Sequence, residues 1–427
     1  VGADLSIKQK LDKIAKGLWV KAVGSFFGSL TQSTNRSRTL EVFQMKVDAV
    51  NDTTYQRYGT RNDQINSSST DSWNQQFYVE LSGGYTQSFG KNNVEAIVVA
   101  NTQNFRANSG DLPELYKALN ASFAYDFDSK YFIELAGNYS GNNRFPAGKQ
   151  AGFFPAAGLG WNVAKEDFFK NAVPFIQTFK LRTSYGKTGN ANPGYYVFNQ
   201  TYSFGTGYNI GTSGGSTSGS EEDPLANPTL TWEKGKKLDV GLDVVFWNDK
   251  AWLTVDYFNN KLYDLLQVRG RNTSLIGNTY PTENIGVYRY TGLEFSGGIS
   301  HNIGDLKLNA GLNVSALKNR VEYIDEVNQP YPWMRRTGNR IGQSFGYIAD
   351  GFFQNQQDIE SSAKVDGYTP IPGDIKYKDL NGDGIINIFD ETALGTSKPE
   401  IYMGATFAVS YKGFEVSVLL DGVRNRN

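Results

Sequence analysis

Residues 306–316 read LKLNAGLNVSA, and their alternation decides what kind of protein this is. Leu306, Leu308, Ala310, Leu312, Val314 and Ala316 fall on one side of an extended chain, and Lys307, Asn309, Asn313 and Ser315 on the other. Successive strand side chains point to opposite faces, so this stretch predicts a strand with one apolar and one polar face. The pattern recurs in KLDVGLDVVFW (237–247), IYMGATFAVSY (401–411) and FKLRTSYG (179–186). A water-soluble β-sandwich would show the same alternation, so the joints between strands must discriminate.

Those joints alternate in length. Short ones are expected at 90–93, 128–130, 248–250, 301–305 and 412–413, and between them fall long ones near 105–116, 142–151, 189–234, 263–287 and 318–400. Short turns on one side and long loops on the other are what an up-and-down barrel spanning an outer membrane requires. The expected fold is therefore all-β: a transmembrane antiparallel barrel with long extracellular loops and short periplasmic turns. Fourteen to sixteen strands are expected over residues 1–427. The segment 164–176 fills a short slot and reads as partly helical. Phe127 and Tyr131, Trp247 and Trp252, and Tyr411 and Phe414 bracket short turns, as a ring of interfacial aromatics would. The rhythm breaks between residues 30 and 75, where RTLEVFQMKVD (38–48) reads as a strand followed by a polar stretch in place of a tight turn.

Composition narrows the functions. Tyr 25, Phe 27, Trp 7 and Gly 46 suit strands and turns. A net charge of −1 gives no basic field with which to displace counterions, so nucleic acid is not an expected partner. The absence of cysteine removes disulfides, thiolate metal sites and cysteine nucleophiles. The single histidine, His301, reads as an exposed turn residue. No apolar run approaches 18 residues, so no membrane-spanning helix is expected. A mean hydropathy of −0.45 is compatible with a barrel, because only alternate residues meet lipid.

Several stretches, in order, resemble one family, the SusC/RagA-like TonB-dependent outer-membrane transporters of Bacteroidetes. They include YFIELAGNYSGNNRF (131–145), FFPAAGLGWNVAKEDFFK (153–170), LTWEKGKKLDVGLDVVFWNDKAWLTVDYFNNKLYDLL (230–266), NIGVYRYTGLEFSGGI (284–299) and the run from 372 to 422. The resemblance covers roughly residues 115–422 and is weaker over the first hundred. It implies a barrel of about 22 strands, of which this chain supplies the middle and later part. No stretch resembles the family's carboxypeptidase-like N-terminal domain, TonB box or plug. The resemblance also implies energised import of oligosaccharide or oligopeptide, a SusD-like surface lipoprotein as lid, TonB acting through the plug, and an outer-membrane location. A passive porin-like or structural barrel is the alternative. A secreted β-rich glycosidase would need paired carboxylates, and Glu221/Glu222 and Asp325/Glu326 are such pairs, in polar loops.

Two sets of residues stand out as candidate sites. Trp333, Arg335 and Arg336, in YPWMRRTGN (331–339), could stack on a sugar or clasp a carboxylate; packing within the loop or against a lid protein is the other reading. DLNGDGIINIFDE (379–391) has the spacing of a calcium loop. Asp379, Asn381, Asp383, the Ile385 carbonyl, Asn387 and Asp390 stand at its ligand positions, and Gly384 where the chain must turn sharply. Asx-turns binding their own backbone would explain the same residues without an ion.

Overall fold

A computed structural model describes residues 1–47, 52–107, 112–194, 196–212, 215–271 and 273–425. Its main body is one sheet of fourteen strands. In chain order these are β1 (Gly2–Lys10), β2 (Leu18–Ser37), β3 (Ile65–Phe89), β4 (Asn92–Ala107), β5 (Glu114–Phe127), β6 (Tyr131–Asn142) and β7 (Ala151–Asn162). They continue as β8 (Ile176–Asn190), β9 (Glu233–Phe246), β10 (Ala251–Val268), β11 (Thr282–Ile303), β12 (Leu306–Tyr323), β13 (Ile401–Tyr411) and β14 (Phe414–Arg424). Each pairs antiparallel with the strands before and after it in sequence, so the topology is strictly up-and-down. Among the described residues no helix is long and apolar enough to cross a membrane.

The joints have local causes. Lys412 and Gly413, both at positive φ (45° and 89°), make the two-residue turn from β13 to β14, the twist that a tight hairpin needs. Asp128 and Ser129 turn β5 into β6 with φ of 55° and 52°. The slot before β8 holds a 3-10 turn (Val163–Lys165) and a helix (Asp167–Ala172), as its sequence suggests. The broken rhythm near residue 50 also resolves. Val42–Val47 pairs with Thr53–Tyr58 in a separate hairpin inside a long connection, while β2 and β3 pair beneath it. His301 lies in β11 opposite Leu308, not in the turn, which is only Gly304–Asp305.

Register shows the two faces directly. One row across six strands reads Thr183, Val240, Tyr257, Leu293, Ala316, Ile401, and the next of the same parity reads Leu181, Leu242, Val255, Phe295, Val314, Met403. Leu293 is 56 % exposed and Leu312 46 %. Large side chains left uncovered over so wide a surface need an apolar solvent. Rows of the other parity are polar: Arg182, Gly241, Asp256, Glu294 and Ser315 share one. The first face meets lipid and the second lines the lumen.

At the short-turn end the apolar face closes on aromatics: Phe127, Tyr131 and Trp161 lie side by side, and Tyr411 opposes Phe414. Glu166 accepts hydrogen bonds there from Tyr131 Oη (2.7 Å), Lys130 Nζ (3.2 Å) and Trp161 Nε1 (3.3 Å). The Tyr131 and Lys130 bonds hold its carboxyl below the ordinary range. Trp252 departs from the expected ring. It pairs with Val245 and Gly298, in the lumen-side parity.

Candidate functional site

The lumen wall carries a charge cluster built by register. Arg182 and Asp256 lie on either side of Gly241 in one row, and Asp239 and Asp243 stand two residues before and after Gly241. The guanidinium donates to Asp243 Oδ2 at 3.0 Å and Asp239 Oδ1 at 3.1 Å, and reaches Asp256 Oδ1 at 2.5 Å across a whole intervening strand. That reach needs the glycine. A Cβ at Gly241 would stand 2.4 Å from Asp256 Oδ1 and 2.5 Å from Arg182 Cζ. Asp-x-Gly-x-Asp is visible at 239–243, but only pairing shows which cation it surrounds.

The long-loop rim has a core of its own, which sequence reasoning missed. Phe145, Leu230 and Trp232 are buried together, with Phe154 and Phe198 packed around them. Trp232 stacks on Phe145 (5.1 Å, 25°) and donates from Nε1 to the Gln150 carbonyl at 3.1 Å. Arg144 pairs with Glu114 at 2.6 Å and donates to Asn192 Oδ1 at 3.0 Å. These contacts clamp the connection 191–232 to its neighbours. Within it, Tyr202–Ile210 pairs with Gly215–Glu222, so most of the Gly/Ser-rich segment 205–224 belongs to a hairpin; residues 213–214 lie outside the described residues.

A cleft of ≈ 500 Å³ opens where β10–β12 meet the connection 324–400, with Gln267, Tyr288, Glu326, Arg336, Arg340 and Phe345 among its walls. Arg336 lies over the Phe345 ring, 5.2 Å from its centroid. Glu326 accepts from the Arg336 and Thr337 amides at 2.8 and 3.0 Å. Burial pushes the Glu326 carboxyl up, but these bonds win and hold it below its usual range. Asp325, almost buried, takes the Arg271 Nε at 2.7 Å, and that bond lowers its pKa. An acid catalyst needs a raised pKa, so this pair is set up as a tether. Glu221 and Glu222 sit exposed on the hairpin.

Of the other ring and cation candidates, Trp333 stacks flat on Tyr331 (4.6 Å, 9°) and donates from Nε1 to the Phe389 carbonyl at 2.9 Å. It braces the loop that carries the acidic motif. Arg335 is exposed beside it, so only Arg336 of the three reaches the cleft.

In the acidic loop, Asp379 accepts from the Gly382 and Gly384 amides, both at 2.7 Å. Asn381 Oδ1 accepts from Asp383 N at 3.1 Å, and Asp383 Oδ1 from Ile385 N at 2.8 Å. Asn387 and Asp390 form a capping box, and buried Asp390 takes Leu380 N at 2.8 Å and Asn387 N at 2.9 Å. Asp379, Asn381 and Asp383 thus share one exposed turn, while Asp390 ties its base together. Among the described residues no three His, Cys, Asp or Glu side chains already converge as a metal cage. Each carboxylate oxygen retains a second lone pair beyond its amide.

An antiparallel sheet with one lipid face, one charged lumen face and loops on one side defines an outer-membrane β-barrel. Residues 15–382 match the family described as TonB dependent receptor-like, beta-barrel, and the chain belongs to it. Over 350 residues it is 29% identical to TonB-dependent receptor P3 of Formosa agariphila, covering 79% of this chain and 34% of that protein. It is 26% identical to TonB-dependent receptor SusC of Bacteroides thetaiotaomicron over 318 residues, covering 70% and 30%. Its fold matches that of the RagAB peptide transporter with a TM-score of 0.70 at 17% identity, over 99% of this chain and 47% of that one. The chain spans about a third of the curated relatives and about half of the solved structure. It is an outer-membrane barrel segment of SusC/RagA type.

Proposed function

We propose that the chain is the wall and outer rim of a TonB-dependent importer of oligosaccharides or oligopeptides, working with a SusD-like surface lipoprotein. The observation that carries this reading is the asymmetry of the joints: turns as short as Lys412–Gly413 at one end, and at the other a connection as long as 324–400. Such a rim is large enough to seat a lid. No chemical step is assigned to the barrel; its work is passage.

Solute uptake by cells making the full-length protein tests the reading. Collapse of the proton-motive force, or loss of TonB, should abolish uptake, and gentle detergent extraction should bring down a lipoprotein in stoichiometric amount. Uptake that survives both treatments, from a barrel recovered alone, would establish the passive porin reading.

The acidic loop adds a structural calcium ion in this proposal. Asp379, Asn381, Asp383 and the Ile385 carbonyl would hold it, with Asp390 securing the base and weak affinity expected of an extracellular module, Kd about 10⁻⁴–10⁻³ M. Calcium titration of the full-length protein should give heat that Asp383→Ala removes. Identical traces from both proteins would leave the Asx-turn account alone.

A further inference from the structure

The apolar face ends abruptly on its long-loop side. Moving up the same parity from Val240, Tyr257 and Leu293, the register reaches one row that reads Lys187, Lys236, Lys261, Arg289, Arg320 on β8 through β12. Five cations stand directly opposite one another on neighbouring strands, about 4.8 Å apart in the pairing direction. Like charges in such positions repel. Glu322 offsets part of this, pairing with Lys261 at 3.1 Å and with Arg289. Arg289 Nη1 also donates to Asn259 Oδ1 at 2.8 Å. Lys187, Lys236 and Arg320 are exposed, and among the described residues no carboxylate within ion-pair distance faces them.

Height decides what the row meets. On β9, Lys236 stands about 33 Å of strand above Phe246 at ~3.3 Å per residue. With the strand tilted by about 40°, that is roughly 25 Å along the membrane normal, the height of an outer-membrane apolar band. On β12, Arg320 stands still further above Leu306. The row therefore crosses the level where acyl chains end and headgroups begin. The short-turn end offers no such field, since its turns mix signs: Asp128 with Lys91 at 2.8 Å, and Asp305 with Lys412 at 3.9 Å.

We propose that this row is a docking strip for the phosphate-bearing headgroups of outer-leaflet lipid, with acyl chains lying on the Val240, Tyr257 and Leu293 surface below. Phosphate supplies the anions the repelling row lacks, and lipid is the one source whose apolar part fits the adjoining face. Arginine can grip a phosphate with two parallel bonds, and lysine adds point charge.

The test uses the full-length protein purified in detergent, offered a bis-phosphorylated outer-leaflet glycolipid, its dephosphorylated form, or inorganic phosphate, with retention read by native mass spectrometry. The wild type should keep the phosphorylated lipid. Combined K187Q, K236Q and R320Q should lower its retention about a hundredfold, at close to a factor of five per charge. The charge-keeping set K187R, K236R and R320K should retain it, as should K180Q on the lumen face. Heat-modifiable migration establishes that each variant is folded, and R320Q alone, with a several-fold loss, serves if the triple variant is not. Three outcomes overturn the proposal: equal retention by wild type and triple variant, equal retention of the dephosphorylated lipid, or displacement of the lipid by millimolar inorganic phosphate, which would mark a soluble-anion site.

Discussion

Leu293 and Glu294 are neighbours in β11, yet they belong to different solvents. Leu293 shares its row with Tyr257 and Ala316, while Glu294 shares the next with Asp256 and Ser315, whose Oγ donates to it at 3.2 Å. On the lipid face the rows through Leu293 and Phe295 are almost wholly apolar. On the lumen face charged groups cluster, with Arg182 serving three aspartates. Neither face is a core in the ordinary sense. Buried apolar packing of that kind occurs at the rim, around Phe145, Leu230 and Trp232.

The largest effect should follow from removing that rim core. Trp232→Ala deletes a nearly buried indole and should cost about 3–5 kcal/mol, felt locally. Limited proteolysis should then nick 191–232 while the heat-modifiable barrel persists. Next, the faces can be set against each other. Leu293→Arg should cost roughly 2–4 kcal/mol in a bilayer refolding titration, whereas Glu294→Gln should change stability little.

On the lumen face, Arg182→Ala leaves Asp239, Asp243 and Asp256 facing one another. It should cost about 2–3 kcal/mol, less than a fully buried pair because the cluster still touches water. Gly241→Ala should reproduce much of the loss by wedging the cluster apart, which separates geometry from charge.

The smallest effect is a pH response at the rim. Asp325 has its pKa lowered by the hydrogen bond from Arg271, then by the attraction of that charge. A depressed carboxyl contributes its stability above the ordinary value near 3.9 and loses it as pH falls through the folded value. Hydrogen exchange in 273–281 should therefore accelerate only below about pH 4, and Arg271→Gln should produce the fast rate at neutral pH.

Much of the barrel was legible because period two survives without any partner. LKLNAGLNVSA needs no neighbour to show its faces, and the alternation of joints then orders the strands. What pairing alone creates was not legible. Trp252 sits beside a turn like the interfacial aromatics, and one step of register puts it on the lumen face. Arg182 meets Asp256 only because Gly241 lies between them. The hairpin at 202–222 was hidden for another reason: its polar, glycine-rich strands with no buried face carry no alternation. Val42–Val47 was legible as a strand within 38–48, but its partner Thr53–Tyr58 was not. Trp333 read as loop packing or as a sugar platform, and its bond to the Phe389 carbonyl exists only once two distant parts of one loop meet. The acidic loop was legible in outline, since Asx hydrogen bonds are local and follow from spacing.

The central claim, that one parity of each strand meets lipid and the other water, can be measured on the stretch where the alternation was first read. Single cysteines placed in turn at 306–316 of the full-length protein, which has no cysteine in this region, can carry a fluorophore in bilayers. Quenchers dissolved in lipid should reach Leu308, Ala310, Leu312 and Val314, and quenchers dissolved in water should reach Lys307, Asn309, Asn313 and Ser315. Loss of that alternation, with both sets quenched equally from water, would contradict the account.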